Sequence, residues 1–241
     1  LPSSTPAQFV ENLATYTPEG TGLAGPWFNP WRETCEVMDL VPDAPLGRRA
    51  RLTAHLSSPE IRVLLCGEAP GYQGARVSGI PFTSERLLLE QAIPGMPALT
   101  SRLTRRNRPY SEPSATIMWG ILSDLGLERQ VALTNAFPFH PHHPGEPFTN
   151  RTPNAAELAF GAKILTQLLE VLPKGIRLIP VGGKAAGTLR KLGFEIPEGV
   201  ALRHPSMGGA TEFRKGMTAL FGKDERPAGG RTVGDAQPWI V

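Results

Sequence analysis

Cysteine is nearly absent from this chain: among 241 residues only Cys35 and Cys66 occur. Two thiols cannot build a disulfide framework or a four-thiolate metal site, and Cys66, inside an apolar run, reads as a buried thiol. Long hydrophobic runs are also missing, since nothing approaches the roughly 20 apolar residues of a membrane span. The N-terminus lacks the basic-then-apolar pattern of a secretory leader. Charge of one sign is lacking too: 25 Lys and Arg face 22 Asp and Glu, a formal net charge of +3. So small an excess does not by itself argue for a nucleic-acid partner; its distribution matters more than its sum. These absences give the expectation of a cytoplasmic, reduced setting, nucleoid-associated if the partner is DNA, with no membrane contact.

Glycine and proline are plentiful, 26 and 25 residues, about a fifth of the chain. Because apolar runs recur throughout, this excess implies long, shaped loops around a core rather than disorder. Short apolar runs at 61–67 (IRVLLCG), 131–136 (VALTNA) and 176–182 (IRLIPVG) read as buried strands, with a weaker one at 200–203 (VALR). Helical patterns separate them. Ser114 to Leu125 is amphipathic, the longest helix is expected to start with Thr152 as N-cap and Pro153 at the first position, and Ala210 to Phe221 closes the series. The expected fold is α/β: a three-layer α/β/α sandwich on a central, mostly parallel, four-stranded sheet. Residues 1–60 are expected to form an extension packed on the core, 61–222 the catalytic domain, and 223–241 a loose polar tail.

Three of these strands run into polar, Gly- and Pro-containing segments: GEAPG at 67–71, TNAFPFHPHHPG at 134–145 and RHPSMGG at 203–209. In open α/β sheets ligands bind outside the carboxyl ends of the strands, so these segments are expected to converge on one site. Each has a plain reading as an ordinary βα loop. Together, carrying Glu, Asn and His, they favour a site. SGIPF (78–82), NRTPNAAEL (150–158) and HPS (204–206) complete an ordered set of motifs.

With those pieces in that order, the chain over residues 61–221 resembles the uracil-DNA glycosylase superfamily, especially its GEAPG-type (family 4-like) branch. The resemblance implies a monofunctional glycosylase that hydrolyses the N-glycosidic bond of uracil in single- or double-stranded DNA; a monomer without a cofactor is the expectation. Asn135 would read the base, its amide matching uracil N3–H and O4 and mispairing with cytosine. Phe82 would stack on the extruded ring. His204 would donate to uracil O2 as charge builds on the leaving base. Glu68 would orient or activate the attacking water, because Ala69, where many relatives carry Asp or Asn, cannot. Ala69 would also line the substrate site, and Pro70, Gly71 and Tyr72 would shape the wall near uracil C5. Ser206, Met207 and Gly208 would approach the DNA, with Met207 a candidate wedge in the vacated stack.

The chain also departs from that branch. Its four cluster cysteines have no counterparts: FPFHPHHPGEPF replaces one cysteine-bearing segment and Gly161 another position, so an iron–sulfur cluster is excluded by counting. An acid three residues beyond the GEAPG glycine is missing too, with Gly74 in its place. The basic run 101–110 holds Arg102, Arg105, Arg106 and Arg108, which with Arg76, Arg203, Arg214 and Lys215 could track phosphates or simply be a solvated face. His140, His142 and His143 lack metal-ligand spacing, and VGGKAAGT (181–188) is not a P-loop but the start of a helix. No Schiff-base lysine sits among the motifs, so strand cleavage is not expected. The rival readings are a non-catalytic DNA-binding relative, a glycosylase for other deaminated bases, and an enzyme acting on a free nucleoside.

Overall fold

The computed structural model describes residues 5–222; the tail expected at 223–241 lies outside them. The chain opens with α1 (Pro6–Leu13), α2 (Pro18–Thr21), β1 (Trp27–Phe28) and α3 (Ala44–Leu56). The centre follows with β2 (Val63–Gly67), α4 (Ala75–Ser78), α5 (Glu85–Leu89), α6 (Pro113–Asp124), β3 (Val131–Asn135) and β4 (His140–Pro141). It closes with α7 (Ala155–Val171), β5 (Arg177–Pro180), α8 (Gly183–Lys191) and α9 (Ala210–Phe221).

β2 lies between β3 and β5, both parallel to it. Side chains alternate across a strand, and here the alternation splits the core in two. Leu64 and Cys66 of β2, Ala132 of β3 and Leu178 of β5 join α1, α3 and α7 in one apolar cluster. Val63, Leu65, Val131, Leu133 and Ile179 join residues of α5, α6 and α9 in the other. A sheet buried on both faces is why these strands read as continuous apolar runs.

Two expectations need correcting. The fourth strand at 200–203 shrinks to a single parallel bridge, Val181 to Leu202, so the central sheet has three strands. VALR is too short and too quickly followed by Pro205 to extend a ladder. A separate antiparallel pair, β1 with β4, lies elsewhere and had no strand signal beyond its aromatic residues. The long helix is capped by Asn154 rather than Thr152. The Asn154 side chain accepts from Glu157 N–H at 3.0 Å while the Glu157 carboxylate accepts from Asn154 N–H at 2.8 Å, a reciprocal capping box.

Behind the sheet ends, the FPFHPHHPG segment is held by aromatic packing. Phe139 stacks on Trp27 at 4.6 Å and meets Phe137 edge-on at 5.6 Å, and both phenylalanines are fully buried. Arg151 forms an ion pair with the fully buried Glu157. Gly161 lets α7 lie close against the backbone that follows β3, because a Cβ there would overlap the Ala136 carbonyl oxygen. A cysteine at 161 is excluded by the same contact. With Cys66 buried in β2 and its thiol pushed up by burial, the residues present do not fit an iron–sulfur cluster.

Candidate functional site

At the carboxyl ends of β2, β3 and β5 the chain encloses a cleft of about 940 Å³. Glu68, Ala69, Pro70, Gly71, Phe82, Asn135, His204, Ser206, Met207 and Gly208 all line it. Parallel register sets the first contact. Gly67 ends β2 directly opposite Asn135 at the end of β3, and a Cβ on Gly67 would stand 2.6 Å from Asn135 Oδ1 and 2.7 Å from Phe82 Cζ. Glycine is therefore required for the amide and the ring to meet over the end of β2. Phe82 holds φ 50°, a left-handed backbone that a bulky residue adopts only where its surroundings enforce it. Asn135 is buried, yet its side-chain amide makes no hydrogen bond with any described residue, leaving both its donor and its acceptor for a ligand.

His204 follows the Val181–Leu202 bridge, which fixes its backbone. Its Nδ1 receives the Ser206 backbone N–H at 3.2 Å and lies 2.7 Å from the Ser206 hydroxyl. An amide N–H can only donate, so Nδ1 is an acceptor and the ring proton of the neutral imidazole sits on Nε2. Burial, and then the neighbouring Arg203 charge, lower the His204 pKa from its ordinary value. The ring is thus a neutral Nε2–H donor, tilted 41° to Phe82 with centroids 5.8 Å apart. Ser206 spends its amide proton on His204 and sets the tautomer, a task the sequence motifs did not assign to it. Met207 is 90% exposed at the rim, with φ 53° and Gly208 at φ 75° beside it.

Among the described residues Glu68 has one ion-pair partner, Lys184 Nζ at 3.8 Å, which also donates to the Thr152 hydroxyl at 3.0 Å. Lys184 begins α8 and lines the cleft; the sequence motifs had placed no lysine there. Asn150 is a second addition. Its Oδ1 accepts from Tyr72 N–H at 3.0 Å and lies 3.3 Å from His140 Nε2, tying the GEAPG loop to the β4 segment. Glu112, just before α6, is a third, and no motif pointed to it.

Other expected residues stand elsewhere. Tyr72 does not line the cleft; its ring meets Tyr110 edge-on at 6.2 Å. Nor do Arg102, Arg105 and Arg106. Arg102 Nε pairs with the buried Glu85 at 3.0 Å, and Arg106 lies 4.2 Å over the Tyr110 ring. Arg105 is exposed, its backbone N–H bonded to Met38 O at 2.9 Å. Arg76, expected on the phosphate-tracking surface, is buried between the Phe28 and Phe148 rings. The arginine run is in large part a loop folded around Glu85, which accepts five hydrogen bonds from Arg102, Leu103, Thr104 and Tyr110. His140 is buried and donates through Nε2 to Thr149 O at 2.9 Å. Among the described residues no group of three or more His, Cys, Asp or Glu is placed to hold a metal ion, and no helix is long and apolar enough to cross a membrane.

The architecture is that of a known α/β class: the crystal structure of wild-type Pedobacter heparinus SMUG2 superposes with a TM-score of 0.62 at 20% identity, covering 90% of this chain and 97% of that one. At that identity the likeness speaks for the fold. No curated protein matches the chain. The model of the uracil DNA glycosylase superfamily matches residues 54–221, more than half of the sequence, and the chain belongs to that superfamily. Membership supports a DNA glycosylase, a hydrolase of DNA repair, as the class of the protein.

Proposed function

We propose that this chain is a monofunctional glycosylase that hydrolyses the N-glycosidic bond of uracil in DNA, leaving an abasic site. The observation that carries this reading is the convergence, in one cleft, of an unpartnered Asn135 amide, the Phe82 ring and a His204 Nε2–H donor. A uracil rotated out of the helix would lie against Phe82 with its N3–H and O4 on Asn135. A neutral imidazole donor suits O2, because negative charge grows there as the bond to the sugar stretches, and a preorganised donor acts more strongly in the transition state than in the ground state. The positive charge developing on the sugar favours a nearby carboxylate, and Glu68 is the carboxylate at that end of the GEAPG loop, positioning the attacking water. Arg203, Lys184 and the Met207 tip fit a DNA strand entering the open side. DNA containing uracil is then the partner and the monomer the acting unit.

The test uses the full chain, in EDTA, with labelled DNA carrying one uracil, single-stranded or opposite G or A, and alkaline cleavage to reveal abasic sites. Release by the wild type, reduced about 10²-fold or more in both Asn135→Ala and His204→Ala, is expected. Tight binding without release would replace the proposal with a non-catalytic DNA-binding relative, the reading that Ala69 keeps open, since its methyl group cannot polarise water. Release of hypoxanthine or xanthine in preference to uracil would move the substrate to other deaminated bases.

A further inference from the structure

Glu112 reaches the cleft from a different part of the chain than the residues above. It precedes α6, whose helix starts with Pro113, and its side chain does not cap that helix. The carboxyl turns instead toward the GEAPG loop, where Gly74 makes room for Oε2: a Cβ on Gly74 would land on that oxygen, with Glu112 Cδ at 2.9 Å and the Thr83 carbonyl oxygen at 3.5 Å. Its hydrogen-bond partner is the Ser114 hydroxyl, on Oε1. Oε2 has neither a hydrogen-bond nor an ion-pair partner among the described residues, although Glu112 lines the same cleft as Phe82 and Asn135.

Resting on the glycosylase reading, we propose that Glu112 is a further substrate-facing residue of the reaction: a neutral carboxylic acid, seated in the space Gly74 leaves, whose free oxygen donates a hydrogen bond to the extruded nucleotide as negative charge builds on the departing base. The proton stays on Glu112, so no covalent step is added. The two cleft carboxyl groups then divide the work by environment. Glu68 has an ammonium group at 3.8 Å, whereas Glu112 has one hydroxyl and, among the described residues, no cation. Burial, opposed by the Ser114 hydroxyl, raises the Glu112 pKa above the ordinary carboxylate value, which agrees with the geometry. A carboxylate at Glu112 would repel a departing anion; a neutral acid attracts it.

Glu112→Gln, Glu112→Ala and the double variant Gly74→Ala/Glu112→Ala separate chemistry from space-filling. Gln keeps an acceptor for Ser114 and an N–H donor for the cleft, and the double variant refills the vacated volume with a methyl group but no donor. Single-turnover release of uracil and DNA affinity are measured for each. Expected are a loss of about 10²-fold in release for Glu112→Ala with DNA affinity nearly unchanged, release within about tenfold of wild type for Glu112→Gln, and no recovery in the double variant. Wild-type release by Glu112→Ala, recovery in the double variant, or a Glu112→Gln as slow as Glu112→Ala would overturn the proposal while leaving the glycosylase reading standing. A wild-type chain that releases no uracil would sink both.

Discussion

Glu85 and Glu112 bracket the arginine-rich loop, and they are opposites. Glu85 is fully buried and satisfied by five donors. Burial alone would raise its pKa, but the Thr104 hydroxyl, Arg102 and the amides of Tyr110 and Thr104 together hold it below the ordinary value. Glu112 has one hydroxyl and its pKa goes the other way. The imidazoles repeat the contrast. His55, behind the sheet, accepts Leu133 N–H at 2.9 Å and is pushed by burial to about 4. His140 is pushed to about 3, by burial first and then by the Arg76 charge, while the Thr149 and Asn150 hydrogen bonds oppose the shift. His204 has its Nδ1 occupied and its Nε2–H turned to the cleft. Glu85 and His55 are engaged by the scaffold, and His140 keeps a buried Nδ1 without a partner among the described residues, whereas Glu112 and His204 each keep a hydrogen-bonding atom for the cleft. Stability and activity should therefore respond to different residues.

The sharpest way to break that contrast is Glu85→Ala, which orphans five donors at once. A loss of about 3–5 kcal/mol is expected, measured by urea unfolding; a loss under 1 kcal/mol would mean the loop is not organised by this carboxylate. Next comes acid. His55 and His140 are neutral in the fold and take up protons on unfolding, so each contributes stability that is fully present above pH 6.5 and lost as pH falls toward about 4 and about 3 respectively. Between pH 6.5 and 5 the loss is about 2 kcal/mol for each, and a stability independent of pH across that window would contradict both burials. Glu85 adds to the same trend at lower pH, because its depressed pKa gives stability that disappears as its carboxylate protonates.

Gly161→Ala tests the brace that stands in for a cluster. Its methyl group must displace the Ala136 carbonyl, at about 1–3 kcal/mol, visible as a lower Tm; an unchanged Tm would show that the α7 contact yields easily. The smallest stability effect belongs to the cleft. Met207→Ala removes a side chain that is 90% exposed, so Tm should move by no more than ~1 °C, while affinity for uracil DNA falls about tenfold if Met207 fills the vacated stack. Equal affinity would remove it from the DNA surface.

Much of this was legible beforehand. The β2, β3 and β5 runs are short, apolar and end at glycine or a polar residue, so their parallel pairing and buried faces followed from pattern alone. The convergence of GEAPG, Asn135 and HPS followed from where strands of such a sheet end. The arginine run was not legible, because charge patterning does not say whether a guanidinium meets a phosphate or a buried carboxylate such as Glu85, 17 positions before Arg102. Glu112 carried no motif, and Lys184 stood in a segment dismissed as a helix start. The fourth strand failed because 200–203 has strand composition but only Leu202 reaches a partner.

By itself, then, the sequence determined the α/β layering, the superfamily and the residues at the strand ends, since local periodicity and short motifs carry that information over a few residues. Tertiary structure decided which proton His204 keeps, which arginines are spent inside and which acid fills the space beside Gly74. Those outcomes depend on backbone approach and on partners distant in sequence, and a hydrogen bond or an overlap is settled by tenths of an ångström that only the assembled chain defines.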